Sequence, residues 1–172
     1  MRQINFFFRL SGARWVGSLT CALACSQVHL NDNSVLSVVN YAVVHLGVKH
    51  GSFTLVSQVR CRPIRHLSLV IVVGHTNCGG AKACVEAAIL PPEPPTTPLS
   101  HWLAPLTDLA RKLDVGSMSP EKRLPLLVRE NVRRQVQNLA KTEAGKVHIH
   151  GWEYDLRTGL LADLGMTHTP GH

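Results

Sequence analysis

The sequence predicts an α/β fold built on a central, mostly parallel β-sheet flanked by helices. Three observations carry this. The run Leu-Val-Ile-Val-Val at 69–73 is continuously apolar, as a strand buried on both faces of a parallel sheet must be. Segments of helical periodicity stand on either side of it, and strand and helix patterns then alternate along the chain. With 172 residues, 45% of them hydrophobic and 17% charged, the chain has the size of one domain and enough apolar surface for a core, which excludes general disorder.

The first helix is expected to open at Asn31-Asp32-Asn33-Ser34, all capping residues, and to carry Val35, Leu36, Val38, Val39, Ala42, Val43 and Leu46 on helical spacing to about Gly47. Its valines have low helix propensity, but Asn40, Tyr41 and Lys49 break the alternation a strand would need. The apolar strand at 69–73 is closed by Gly74. A loop, 75–80, leads to an Ala-rich helix at 81–88, which Pro91-Pro92-Glu93-Pro94-Pro95 stops. Helices follow at 100–114 and 120–142, the second opened by Ser119-Pro120-Glu121 with proline at the first helical position. Val147, Ile149, Trp152 and Tyr154 then mark a strand that turns at Arg157-Thr158-Gly159 into a return strand at 160–164.

Two stretches do not fit. Residues 51–68 hold mixed polar and apolar residues, Pro63 and three arginines where a connection of 2–6 residues is usual, so they form either a functional loop or a segment foreign to the fold. Residues 1–31 contain no acid, and Arg2, Arg9 and Arg14 alternate with Phe6, Phe7, Phe8, Leu10 and Trp15, a composition shared with organelle-targeting segments. Arg9, Arg14 and His29 interrupt the apolar N-terminus, so no membrane span is expected. The net charge of +7 is scattered, with Arg129, Arg133 and Arg134 reading as a solvated helix face, so nucleic acid is not expected as a partner. Five cysteines, at 21, 25, 61, 78 and 84, make no disulfide framework.

The chemistry concentrates in Val72-Val73-Gly74-His75-Thr76-Asn77-Cys78-Gly79-Gly80: a strand end, His-x-x-Cys and a glycine pair at a helix start. Imidazole and thiolate are the donors zinc prefers, and two of them three positions apart on a tight loop can share one ion. The helix start just beyond Gly80 is expected to stabilise the Cys78 thiolate. The plain alternative is a loop histidine and a small buried thiol. A phosphate-binding turn is a further one, although neither G-x-x-x-x-G-K-[ST] nor G-x-G-x-x-G is present. Among the other candidates, His148 and His150 alternate on one strand face, and Cys84 reads as a packed thiol. His45 and His50 suit capping of the first helix.

Three blocks in order, Asn33-Ser34-Val35-Leu36-Ser37-Val38-Val39-Asn40-Tyr41-Ala42-Val43, the stretch 72–80, and His150-Gly151-Trp152-Glu153-Tyr154-Asp155-Leu156 with Thr158-Gly159, resemble the β-class carbonic anhydrases. The resemblance covers roughly residues 31–50 and 70–166. It implies a parallel-sheet α/β fold, a zinc ion (Zn2+), a homodimeric building block and reversible hydration of carbon dioxide to bicarbonate. It also implies that His75 and Cys78 are two of the three protein ligands of the metal.

The family's Cys-x-Asp-x-Arg motif, source of the other thiolate and of an Asp-Arg pair that helps activate water, is absent from this sequence. The nearest string is Cys25-Ser26-Gln27-Val28-His29, with Gln27 in place of Asp and His29 in place of Arg. The expectation is therefore an N-terminally incomplete family member. In it, residues 1–30 lie outside the family pattern, 31–166 form the domain with an insertion at 51–69, and 167–172 are a tail. Its Asp-Arg catalytic pair is missing, its carbon dioxide hydration is weak, and Cys25 is the one candidate for a third zinc ligand. The alternative is a non-catalytic fold remnant that binds metal or a partner. A homo-oligomer in the cytoplasm is expected, with mitochondria the alternative suggested by the basic N-terminus. Without its upstream cover, the first helix is expected to expose Val35, Val38, Val39 and Leu46.

Overall fold

The apolar run at 69–73 forms the centre of the sheet. In the computed structural model, which describes residues 8–9, 16–17, 27–45, 51–53 and 69–171, strand β4 (Leu69–His75) lies between two parallel neighbours. Val70, Ile71, Val72 and Val73 are all buried, as a two-sided strand requires. Among the described residues the sheet has the order β3 (Gly51–Phe53), β4, β5 (His148–Tyr154), β6 (Leu161–His168), with β6 antiparallel to β5. A separate two-residue antiparallel pair joins β1 (Phe8–Arg9) to β2 (Val16–Gly17).

β4 does not stop at Gly74. It continues through Gly74 and His75, which pair with Glu153 and Tyr154 of β5. Gly74 serves packing instead: a Cβ there would lie 2.7 Å from Val132 Cγ2 and 3.0 Å from Val128 Cγ1. Gly151 on β5 has the same function, since its Cβ would meet Val132 Cγ1 at 2.7 Å. The two glycines let helix α4 (Pro120–Ala140) lie close against the sheet directly below His75.

The helices follow the sequence reading with shifted ends. Helix α2 (Gly79–Ala88) starts at the glycine pair, two residues before the expected Ala81, with Cys78 as its N-cap residue. Helix α3 (Pro98–Lys112) starts earlier than position 100, because Thr97 and Ser100 form a reciprocal capping box ahead of Pro98. Arg111 of α3 donates to Ala87 O at 3.2 Å, satisfying a carbonyl at the C-terminal end of α2. β6 runs to His168, four residues beyond the expected strand end. Its Met166 is buried against the sheet's core, which accounts for the extension.

Helix α1 (Asn33–Asn40) passes into a π-turn, Tyr41–His45. The expected exposure of its valines is not what the fold shows. Val35 and Val39 are only 3% and 1% exposed, covered by Val28, Val132, Val136, Leu139, Ala144, Val147 and Ile149 in one cluster. Val38 is half-buried, and the large apolar residues exposed around α1 are Leu30, Tyr41 and Val44. Leu46 lies outside the described residues, as does most of the segment 51–69. Of that segment, Gly51–Phe53 pairs with Val70–Val72 at the sheet edge, and Leu69 opens β4.

A second cluster joins Cys78, Ala81, Cys84 and Val85 to Leu103, Leu106, Ala110, Val115, Leu127 and Val128. α4 belongs to both clusters and so fixes α2, with Cys78 at its start, relative to the end of β4. The segment entering α1 is captured differently. Gln27 Nε2 donates to Asn131 Oδ1 at 2.8 Å, Val28 N donates to Gln135 Oε1 at 2.9 Å, and Asn138 Nδ2 donates to Val28 O at 3.1 Å. Amides one and two turns apart on α4 thus take the place of a strand's ladder for an extended chain.

Candidate metal centre

The strand-end rule of α/β sheets puts a ligand site where β4 stops, and His75 occupies its last position. Thr76 and Asn77 then turn the chain, with Asn77 in the left-handed region (φ 56°) that asparagine tolerates. Cys78 follows as the N-cap residue of α2, and its carbonyl accepts from Lys82 N at 2.9 Å. The three-residue step brings both donors together: the Cys78 side chain hydrogen-bonds the His75 ring.

That contact raises the His75 pKa above its ordinary value, reinforced by the Thr76 carbonyl and opposed by burial. His75 Nδ1 lies 2.9 Å from Thr76 O. A carbonyl can only accept, so Nδ1 carries the proton and the neutral ring has its lone pair on Nε2. Cys78 is buried at the positive end of the α2 dipole, with no side chain capping the helix. Imidazole and thiolate are donors that zinc prefers, and here the two groups are in contact. The donor set therefore fits zinc as two of its ligands. Gly79 beside Cys78 is exposed, and a Cβ there would meet nothing within 4 Å.

Thr76 is committed at every polar atom. Its N–H donates to Tyr154 O at 3.0 Å, its hydroxyl accepts from Leu156 N at 3.0 Å, and that hydroxyl donates to Asp155 Oδ1 at 3.4 Å. Asp155 Oδ1 also accepts from Arg157 N at 2.8 Å. This amide and the Thr158 hydroxyl hold the Asp155 carboxyl below the usual carboxylate range. Sequence reading found Asp155 and Thr158 only as part of a matching block. The local signal for more was the Asp-x-x-Thr-Gly string, an Asx-turn pattern, together with a hydroxyl between the two donors.

The remaining candidates are placed elsewhere. Among the described residues, no group of three or more His, Cys, Asp or Glu side chains could hold a metal. Cys84 is buried with its Sγ 3.8 Å from Leu103 O, and burial pushes its thiol pKa up, so it is a packed thiol. Gln27 is hydrogen-bonded to Asn131 of α4, and the His29 ring stacks on Trp102 with centroids 4.3 Å apart. His148 and His150 share a strand face, where His150 Nδ1 meets Thr167 Oγ1 at 3.2 Å. Cys21, Cys25, Cys61 and His50 lie outside the described residues, and so does the side chain of His45.

The sequence model of the carbonic anhydrase family matches residues 64–161, over half of the chain and beginning inside the segment 51–69. A carbonic anhydrase of Emericella nidulans is 34% identical over 147 residues, covering 78% of this chain and 53% of that protein. Carbonic anhydrase 1 of Escherichia coli O157:H7 is 34% identical over 107 residues, covering 56% of this chain and 46% of that protein. The chain spans about half the length of the curated relatives it matches. Among solved structures, a β-carbonic anhydrase of Aspergillus fumigatus superposes with a TM-score of 0.62 at 26% identity, covering 83% of this chain and 61% of that one. One of two tetrameric β-carbonic anhydrases of Sordaria macrospora gives 0.64 at 20% identity, covering 84% and 66%, a likeness of fold.

Proposed function

The chain belongs to the β-class carbonic anhydrase family, and on that premise we propose that its chemistry is the zinc-dependent reversible hydration of carbon dioxide to bicarbonate, a lyase reaction. His75 and Cys78 are the proposed zinc donors. The observation that carries the reading is their meeting at the end of β4, with the His75 Nε2 lone pair left free by the Nδ1 contact to Thr76 O.

Bound there, zinc supplies a Lewis acid that makes hydroxide available from water near neutral pH. The chain's own part is to hold the ring and the sulfur. The Thr76 carbonyl fixes the tautomer of His75, and the start of α2 favours the thiolate of Cys78. In the string nearest to the family's motif, Gln27 stands in place of the Asp and is engaged with Asn131, and His29 stands in place of the Arg and stacks on Trp102. Metal retention and water activation are therefore both weakened, and the activity proposed for this chain is low.

The absence of Cys-x-Asp-x-Arg from the sequence favours a second reading, a scaffold that binds metal or a partner without turnover. We also propose that the chain self-associates, supported by the exposed Leu30, Tyr41 and Val44 and by the tetrameric relative of Sordaria macrospora. The test is zinc content together with stopped-flow carbon dioxide hydration of the purified chain. The reading expects weakly held zinc and slow hydration. One zinc per chain, with hydration abolished by Cys25→Ser, would make Cys25 the third donor and overturn the weakened-site reading. Zinc uptake unchanged by His75→Ala would overturn the site itself.

A further inference from the structure

We propose that Asp155 is a positioning residue for the metal pair, acting through Thr76 to set which nitrogen of His75 faces a metal. The inference rests on the zinc reading above but is built from contacts that need no metal. β4 and β5 end side by side, with His75 paired to Tyr154, so the residue after each strand faces the other across the sheet edge. Those residues are Thr76 and Asp155. The Thr76 hydroxyl can use its single proton once, and Leu156 N–H, itself a donor, takes the acceptor side at 3.0 Å. The proton is left for Asp155 Oδ1 at 3.4 Å.

Asp155 is itself fixed. Its carboxylate accepts from Arg157 N at 2.8 Å, its carbonyl accepts from Gly159 N at 2.8 Å, and its N–H donates to Leu160 O at 2.9 Å. Gly159 completes this turn with φ 73°, a conformation glycine adopts without strain. The turn thus holds a carboxylate against Thr76, whose amide is already tied to Tyr154 O. Amide and hydroxyl thus anchor Thr76 from both sides, and its carbonyl lies 2.9 Å from His75 Nδ1. A ring held by Nδ1–H presents Nε2 as its donor nitrogen. Partners of this kind behind a metal-binding histidine change metal affinity by about 10–100-fold.

The test uses the full chain in Thr76→Val and Asp155→Ala variants, with Thr76→Ser and Asp155→Asn as conservative counterparts that keep a hydroxyl or an Oδ1 acceptor. The first readout is the His75 tautomer in the metal-free protein, from long-range 1H–15N spectra at about pH 9, well above the free imidazole pKa of about 6.5. The second is zinc affinity by chelator competition. The expected result is a ring protonated on Nδ1 in wild type, Thr76→Ser and Asp155→Asn. In Thr76→Val and Asp155→Ala it shifts toward the Nε2–H form, with zinc affinity lower by about tenfold or more. An unchanged tautomer in folded Thr76→Val and Asp155→Ala would overturn the proposal even if zinc binding fell. If the tautomer shifts but no variant, wild type included, binds zinc, the clamp stands and the zinc reading falls. Should Asp155→Ala fail to fold, Thr76→Val decides alone, since valine keeps the branched shape and deletes only the hydroxyl.

Discussion

Gly74→Ala places a methyl where the fold has no room, and the cost can be worked from the contacts. The new Cβ would stand 2.7 Å from Val132 Cγ2 and 3.0 Å from Val128 Cγ1, against about 3.5–4.0 Å for carbons in ordinary contact. Val132 is wedged against both glycines, its other methyl lying 2.7 Å from the position a Cβ on Gly151 would take. Nor can α4 retreat freely: Leu127, Val132 and Leu139 are fully buried, and Arg129 is tied to Glu153 of β5 at 3.1 Å. Overpacking of this type costs about 1–3 kcal/mol. Taking about 2 kcal/mol, a chain of this length loses about 4–8 °C in Tm. Urea and thermal unfolding of Gly74→Ala, Val132→Ala and the double variant measure this. Trimming Val132 removes the closer of the two contacts, so the double variant should be less destabilised than the two singles added together, by about 1 kcal/mol or more. A Gly74→Ala protein within about 0.5 kcal/mol of wild type, or strict additivity, would refute the close approach of α4 to the end of β4.

Gln135→Ala removes the acceptor of Val28 N and a donor to Asn131 Oδ1, both buried, and should cost about 1–3 kcal/mol in urea unfolding; a neutral result would mean the segment 27–29 is not held as described. In the metal-free chain the raised His75 pKa contributes stability that is fully present below the free imidazole value of about 6.5 and lost as pH rises through the folded value. Urea midpoints of wild type and His75→Ala should therefore converge with rising pH, and a gap that widened would contradict the contact with Cys78. Charged substitutions at Tyr41 and Val44, exposed on the turn after α1, should shift sedimentation toward the monomer; an unchanged distribution would remove that face from the proposed assembly.

The elements set by strong local chemistry could be read from the sequence. β4 was visible because five consecutive apolar residues fit a two-sided strand, and α4 because Ser119-Pro120-Glu121 is a helix start. The His75 and Cys78 pair was visible because three residues separate two soft donors at a strand end. What stayed hidden depends on partners distant in sequence. Gly74 reads as a strand breaker until Val132, which crowds it from helix α4, is known. Val35 and Val39 read as uncovered because much of their cover comes from α4 and from residues 144–149, more than ninety positions away. Thr76 and Asp155 each look like ordinary turn residues, and only the parallel register of β4 and β5 brings them together. The anchoring of Gln27 and Val28 by Asn131, Gln135 and Asn138 left no sign either, since buried amides on a helix are indistinguishable from solvated ones in a single sequence.

The central claim is that His75 and Cys78 are donors to one metal ion. Titration of the purified chain with cobalt(II), a spectroscopic stand-in for zinc, tests it most directly, because thiolate-to-cobalt charge transfer absorbs only when a sulfur is bound. The account predicts a charge-transfer band in wild type that is lost in Cys78→Ser, weakened in His75→Ala, and kept in Cys84→Ser, whose thiol is packed against Leu103 O. A band that survives Cys78→Ser at full intensity, or that disappears with Cys84→Ser alone, would contradict it.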